Sequence, residues 1–98
     1  GNQIGGKESA PVNFTVAQNT PNPFNPSTTI SFNLAKPAKT TVEIYNSAGQ
    51  KVDTIIHSYL KAGNHSVIWN ASGHSAGTYF YTVKNGDTSK TMKMTLLK

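Results

Sequence analysis

The 98-residue chain contains no cysteine, no arginine and only four acidic residues, Glu8, Glu43, Asp53 and Asp87. Without cysteine there are no disulfides, no thiolate metal sites and no cysteine nucleophile. The compartment stays open, because a domain of this size can hold itself together by its core alone. Arginine is the residue that grips bases and phosphates in bidentate fashion, and its absence argues against nucleic acid as a partner. The net charge of +5 comes from nine scattered lysines, with a mild excess where Lys84, Lys90, Lys93 and Lys98 fall in the last fifteen residues. They read as a solvated surface that keeps sheet edges apart. No apolar run approaches the ~18 residues of a membrane span. The N-terminus lacks the basic-then-apolar order of a signal peptide.

Catalytic chemistry finds little to work with. Glu8 lies in a glycine-rich lead-in, and Glu43 and Asp53 flank a turn as solvent-facing strand residues, so no carboxylate pair is expected. His57, His65 and His74 show neither i,i+2 nor i,i+4 spacing, which leaves no metal site. His65 is in phase with Val67 and Trp69 and reads as a partly buried, hydrogen-bonded histidine; His57 and His74 read as surface residues. Ser72, His74 and Ser75 share a loop, but it has neither the strand–Ser–helix elbow nor a partner acid. A non-enzyme without cofactor or metal is expected.

Alternation dominates what is present. Ile30, Phe32 and Leu34, then Val42 and Ile44, Val67 and Trp69, Tyr79, Tyr81 and Val83, and Met92, Met94 and Leu96 each recur at every second residue, as do Val12, Phe14 and Val16. Such a period puts each set on one face of a strand. Lys51 to Leu60 breaks parity and implies a bulge or a bent edge strand. Pro21, Pro23 and Pro26 exclude their segment from a central ladder and make it a stiff connector, with Phe24 plugging one end of the core. Turn signals at 47–50, 61–64 and 85–87 separate the runs. The expectation is an all-β, seven-stranded antiparallel β-sandwich over residues 11–98, preceded by a flexible linker at 1–10. Trp69, Tyr79 and Tyr81 read as core, while Tyr45, Tyr59 and Phe80 keep a sugar-stacking platform open.

The segment Gln18-Asn19-Thr20-Pro21-Asn22-Pro23-Phe24-Asn25-Pro26-Ser27-Thr28-Thr29-Ile30-Ser31-Phe32 goes further. It resembles the opening of the type A C-terminal sorting domains of the Bacteroidota type IX secretion system. Val42-Glu43-Ile44-Tyr45-Asn46 with Gly49 and Val52, Leu60 with Gly63, His65, Val67 and Trp69, Gly77-Thr78-Tyr79-Phe80-Tyr81, and the ending Lys93-Met94-Thr95-Leu96-Leu97-Lys98 are similar to the later motifs, in order. Gln50 and Ala76 depart from them, standing where a basic residue and a serine are usual.

The resemblance implies an immunoglobulin-like sandwich, related also to the immunoglobulin-like part of flagellar hook-capping proteins. It implies a last portion of a secreted precursor, carried behind an N-terminal cargo domain. Such a precursor passes through the periplasm, is recognised by the outer-membrane translocon, and loses this domain to a sortase-like cell-surface peptidase cutting in the linker. The cargo is then released or held at the cell surface. The residues expected at the translocon are Lys93, Met94, Thr95, Leu96, Leu97 and Lys98. Met92, Met94 and Leu96 would pin the strand while its other side chains and its backbone edge face the partner. A passive spacer or carbohydrate-binding module of a secreted hydrolase is the alternative, and edge pairing into a weak homodimer is a further expectation.

Overall fold

The two-residue period is realised as seven antiparallel strands in a computed structural model that describes residues 14–97. They are β1 (Phe14–Val16), β2 (Ser27–Leu34), β3 (Ala38–Asn46), β4 (Lys51–Leu60), β5 (Gly63–Asn70), β6 (Gly77–Asn85) and β7 (Thr88–Leu96). One sheet has the order β1-β2-β5 and the other β4-β3-β6-β7. The chain crosses between sheets after β2, β4 and β5, an arrangement consistent with an immunoglobulin-like sandwich. The linker expected at 1–10, Val12 and Lys98 lie outside the described residues.

The core forms where the alternating stripes of the two sheets meet. Ile30, Phe32 and Leu34 of β2 face Val42 and Ile44 of β3, Tyr79, Tyr81 and Val83 of β6, and Met94 and Leu96 of β7, all buried. The parity break in β4 is a doubly bulged edge strand. Val42 pairs Ile56 but Glu43 pairs Thr54, and Ile44 pairs Asp53 but Tyr45 pairs Lys51, which leaves Ile55 and Val52 as the extra residues. Bulging turns Val52, Ile55 and Ile56 alike toward the core, and it blunts this edge against further pairing.

The β3–β4 turn shows why a glycine stands at 49. Asn46 Oδ1 accepts the backbone N–H groups of Ala48 and Gln50, both at 3.0 Å. Closing that loop takes Gly49 to φ +84°, a left-handed conformation that costs an L-residue about 1–2 kcal/mol.

Candidate functional site

Three prolines leave the connector between β1 and β2 with few donors, yet it is tied closely to the last strand. Phe24 donates its N–H to Thr95 O at 3.0 Å, and its carbonyl accepts from Leu97 N–H at 2.8 Å, making a one-residue parallel bridge to β7. Asn22 Oδ1 accepts from Thr95 N–H at 3.1 Å, and Gln18 Nε2 donates to Lys93 O at 2.8 Å. Pro23 has no N–H to extend the ladder. The edge of the terminal strand, expected from sequence to be free for a receptor, is therefore occupied between Lys93 and Leu97. Side chains alternate as expected: Met94 and Leu96 are buried, whereas Lys93 and Leu97 are exposed and Thr95 is half-buried.

A buried polar network fixes the connector from below. Asn19 and Thr28 are each 1 % exposed. Asn19 Nδ2 donates to Thr28 Oγ1 at 2.9 Å and to Pro21 O at 3.1 Å, and Thr28 Oγ1 donates to Pro21 O at 2.9 Å. Tyr81 extends this support with its hydroxyl on Ala17 O at 2.7 Å. These satisfied groups hold the segment that carries Phe24. Sequence reasoning passed over Gln18, Asn19 and Thr28 as functional side chains, although they stand inside the motif string that carried the resemblance.

Most of the motif residues converge on one pole of the sandwich. Pro21 to Pro26, the Gly49 turn, the loop at 71–76 and the end of β7 all lie there. Phe24 packs on Trp69 at 5.8 Å between ring centroids, and Trp69 meets Tyr79 at 5.5 Å. Phe24 is 1 % exposed, so the plug expected from sequence is in place. His74 is half-buried rather than a surface residue. Its ring covers Trp69 at 5.5 Å and Tyr79 at 6.2 Å, because the loop folds back over the aromatic cluster. The loop is held by Ala71 N–H on Pro26 O and by Tyr79 hydroxyl on Ser75 O. Gly77, at φ +145°, opens β6 at this pole, whereas Gly63 opens β5 at the other. His65 behaves as expected, stacked on Phe32 at 5.6 Å and bonded to Lys61 O at 2.7 Å.

The outer face of the four-stranded sheet corrects the reading of Glu43. It is 8 % exposed, covered by neighbours rather than open to solvent. Lys84 Nζ lies 3.0 Å from Glu43 Oε1 and Lys51 Nζ 3.4 Å from Oε2, while Tyr45 donates its hydroxyl at 2.8 Å. The long lysine stems cover the carboxylate while their ammonium groups reach water. Asp53 pairs Ile44, one register position away from Glu43, and accepts from Trp69 Nε1 at 2.9 Å, so the two acids do not form a pair. The three aromatics expected for a sugar platform do not form one row: Tyr45 pairs Phe80, whereas Tyr59 pairs Lys39 toward the other end of the sheet. Among the described residues no group of three His, Asp or Glu could hold a metal, and no helix is long and apolar enough to cross a membrane.

The hydrogen bond from Lys84, then that from Tyr45, holds the Glu43 carboxyl below its ordinary value of 4.5; burial opposes them and Lys51 adds to them. A folded value below the unfolded one means stability that is present above about pH 4.5 and lost as pH falls through the folded value. Acidification from about pH 6 to about pH 3 should therefore lower Tm more in the parent than in Glu43→Gln. Equal slopes in thermal melts across that range would contradict the assignment.

Comparison with known proteins bears on this pole directly. The secretion system C-terminal sorting domain family matches residues 20–97, from the connector to the last described residue of the chain. The chain belongs to this family. No curated protein matches it. Domains of this family are non-catalytic; the chain is thus a C-terminal sorting signal of type IX secretion, and a protein bearing it engages that machinery and is secreted or surface-attached.

Proposed function

We propose that this sorting domain carries an N-terminal cargo domain through the periplasm to the outer-membrane type IX translocon, with the recognised residues among Lys93, Met94, Thr95, Leu96, Leu97 and Lys98. A sortase-like cell-surface peptidase then removes the domain by cutting within residues 1–10. The observation that carries the reading is the family match over a terminal strand that buries Met94 and Leu96 and presents Lys93 and Leu97. Burial of alternate residues fixes the strand, so what it presents is the same in every molecule.

The test is a reporter. A periplasm-directed fluorescent protein fused to the whole chain is expected to reach the medium or cell surface of a type IX-competent host. The same fusion lacking residues 93–98 is expected to stay in the periplasm. The exported reporter should also lose the domain, with its new C-terminus inside 1–10 by mass spectrometry. Periplasmic retention of the intact, folded fusion would overturn the sorting reading and return attention to a spacer or binding module. Export without cleavage would remove the peptidase step alone.

A further inference from the structure

We propose that the export machinery docks on a composite surface at the connector pole of the folded domain, made of Leu97, the cleft beside it and Lys93, rather than by adding a strand to β7. This rests on the sorting reading and says which surface is read. Between Lys93 and Leu97, four outward-facing backbone groups of β7 are already bonded: Lys93 O by Gln18, Thr95 N–H by Asn22, and Thr95 O and Leu97 N–H by Phe24. A partner strand there would first have to displace the connector. Side chains are what remain to be read.

Leu97 is 49 % exposed, and it borders a cleft of about 260 Å³ lined by Asn25, Pro26, Ser72, Gly73, His74 and Leu97. That volume falls below the ~300–1,000 Å³ of small-molecule sites and suits one anchor side chain of a protein partner. The walls are fixed before binding: Ala71 donates to Pro26 O and His74 N–H to Ala71 O, each at 2.9 Å, and the His74 ring rests on Trp69 and Tyr79. A preformed cleft avoids the ordering cost of association.

Charge names the partner's chemistry. Of the described carboxylates, Glu43 is held by Lys84 and Lys51, Asp53 by Trp69, and Asp87 lies in the β6–β7 turn at the opposite pole. Lys93 is exposed on the same outward face of β7 as Leu97, which lines the cleft, in a chain of net charge +5. The complementary surface is acidic, offers the mainly polar cleft a polar anchor side chain, and seats Leu97 in an apolar hollow of its own.

The reporter fusion tests this. Ser72→Arg, which fills the cleft from an exposed position, and Leu97→Asp should each lower export by about tenfold. Ala35→Arg, at the opposite pole, should export as the parent does, and all three should keep the parent's circular dichroism and Tm. Asn22→Ala should lower export and Asn22→Asp, which keeps the acceptor for Thr95 N–H, should restore it. In binding of the labelled domain to outer membranes of the host, excess peptide of residues 88–98 should not compete. Parent-level export of folded Ser72→Arg and Leu97→Asp, or competition by the peptide, overturns the composite surface while the sorting reading stands. A parent fusion that is not exported removes both.

Discussion

Replacing Phe24 with alanine is expected to destabilise the domain by about 3–5 kcal/mol, the range for truncating a buried aromatic. Against a typical total of about 5–15 kcal/mol, that is a large share. Phe24 is 1 % exposed and its ring packs on Trp69, so its removal leaves a cavity the stiff connector cannot close by moving inward. The same residue carries both backbone rungs to β7. Urea unfolding followed by tryptophan fluorescence measures the global loss, with a lower midpoint at unchanged m-value. Amide exchange supplies a local signature: protection at Leu97 N–H should fall further in Phe24→Ala than protection in β3, since that N–H depends on the Phe24 carbonyl. A loss of unfolding free energy under about 1 kcal/mol would show that Phe24 is not a keystone of the core.

The two stripes on either side of that plug were legible from the chain because burial on a strand is a local, two-residue property. Ile30, Phe32 and Leu34, or Tyr79, Tyr81 and Val83, announce their face wherever the partner strand lies. The bulged β4 was legible for the same reason, since a parity break among Val52, Ile55 and Ile56 has few structural solutions. Glu43 was misread because its cover comes from Lys84 on the neighbouring strand and Lys51 across a bulge, and periodicity is silent on both. His74 was misread because a loop has no period, so nothing local says that its ring folds onto Trp69.

The closed edge of β7 was harder still. Gln18 and Lys93 are 75 positions apart, and Asn22 and Thr95 are 73 apart. Amide-to-backbone bonds over that distance leave no apolar pattern to read. The prolines foretold that the connector would not join a central ladder. They did not foretell that one residue between them, Phe24, would use both its backbone groups to finish a sheet. What the motif string preserves is thus a single device: Asn19 and Thr28 seat the connector, Asn22 and Phe24 close the edge, and Phe24 fills the core beneath it.

Trp69→Ala is expected to cost about 3–5 kcal/mol as well, but by a route that can be separated from Phe24. Trp69 sits on β5, the edge of one sheet, and donates Nε1–H to Asp53 Oδ2 on β4, the edge of the other. Its ring therefore does two things: it fills the aromatic cluster with Phe24, His74 and Tyr79, and it bolts the two sheets together at an open side. Trp69→Phe keeps most of the first and loses the second, so its cost should fall to about 1.5–3 kcal/mol, the worth of a bond to a charged group. Asp53→Asn in the Trp69→Phe background should then add nothing, whereas in the parent it weakens the bolt; the cycle isolates the pair. Trp69→Ala combined with Phe24→Ala should cost less than the sum of the singles, because each truncation already empties space the other ring needs. Strict additivity of that pair in urea unfolding would mean that the two rings, though 5.8 Å apart, stabilise the pole independently.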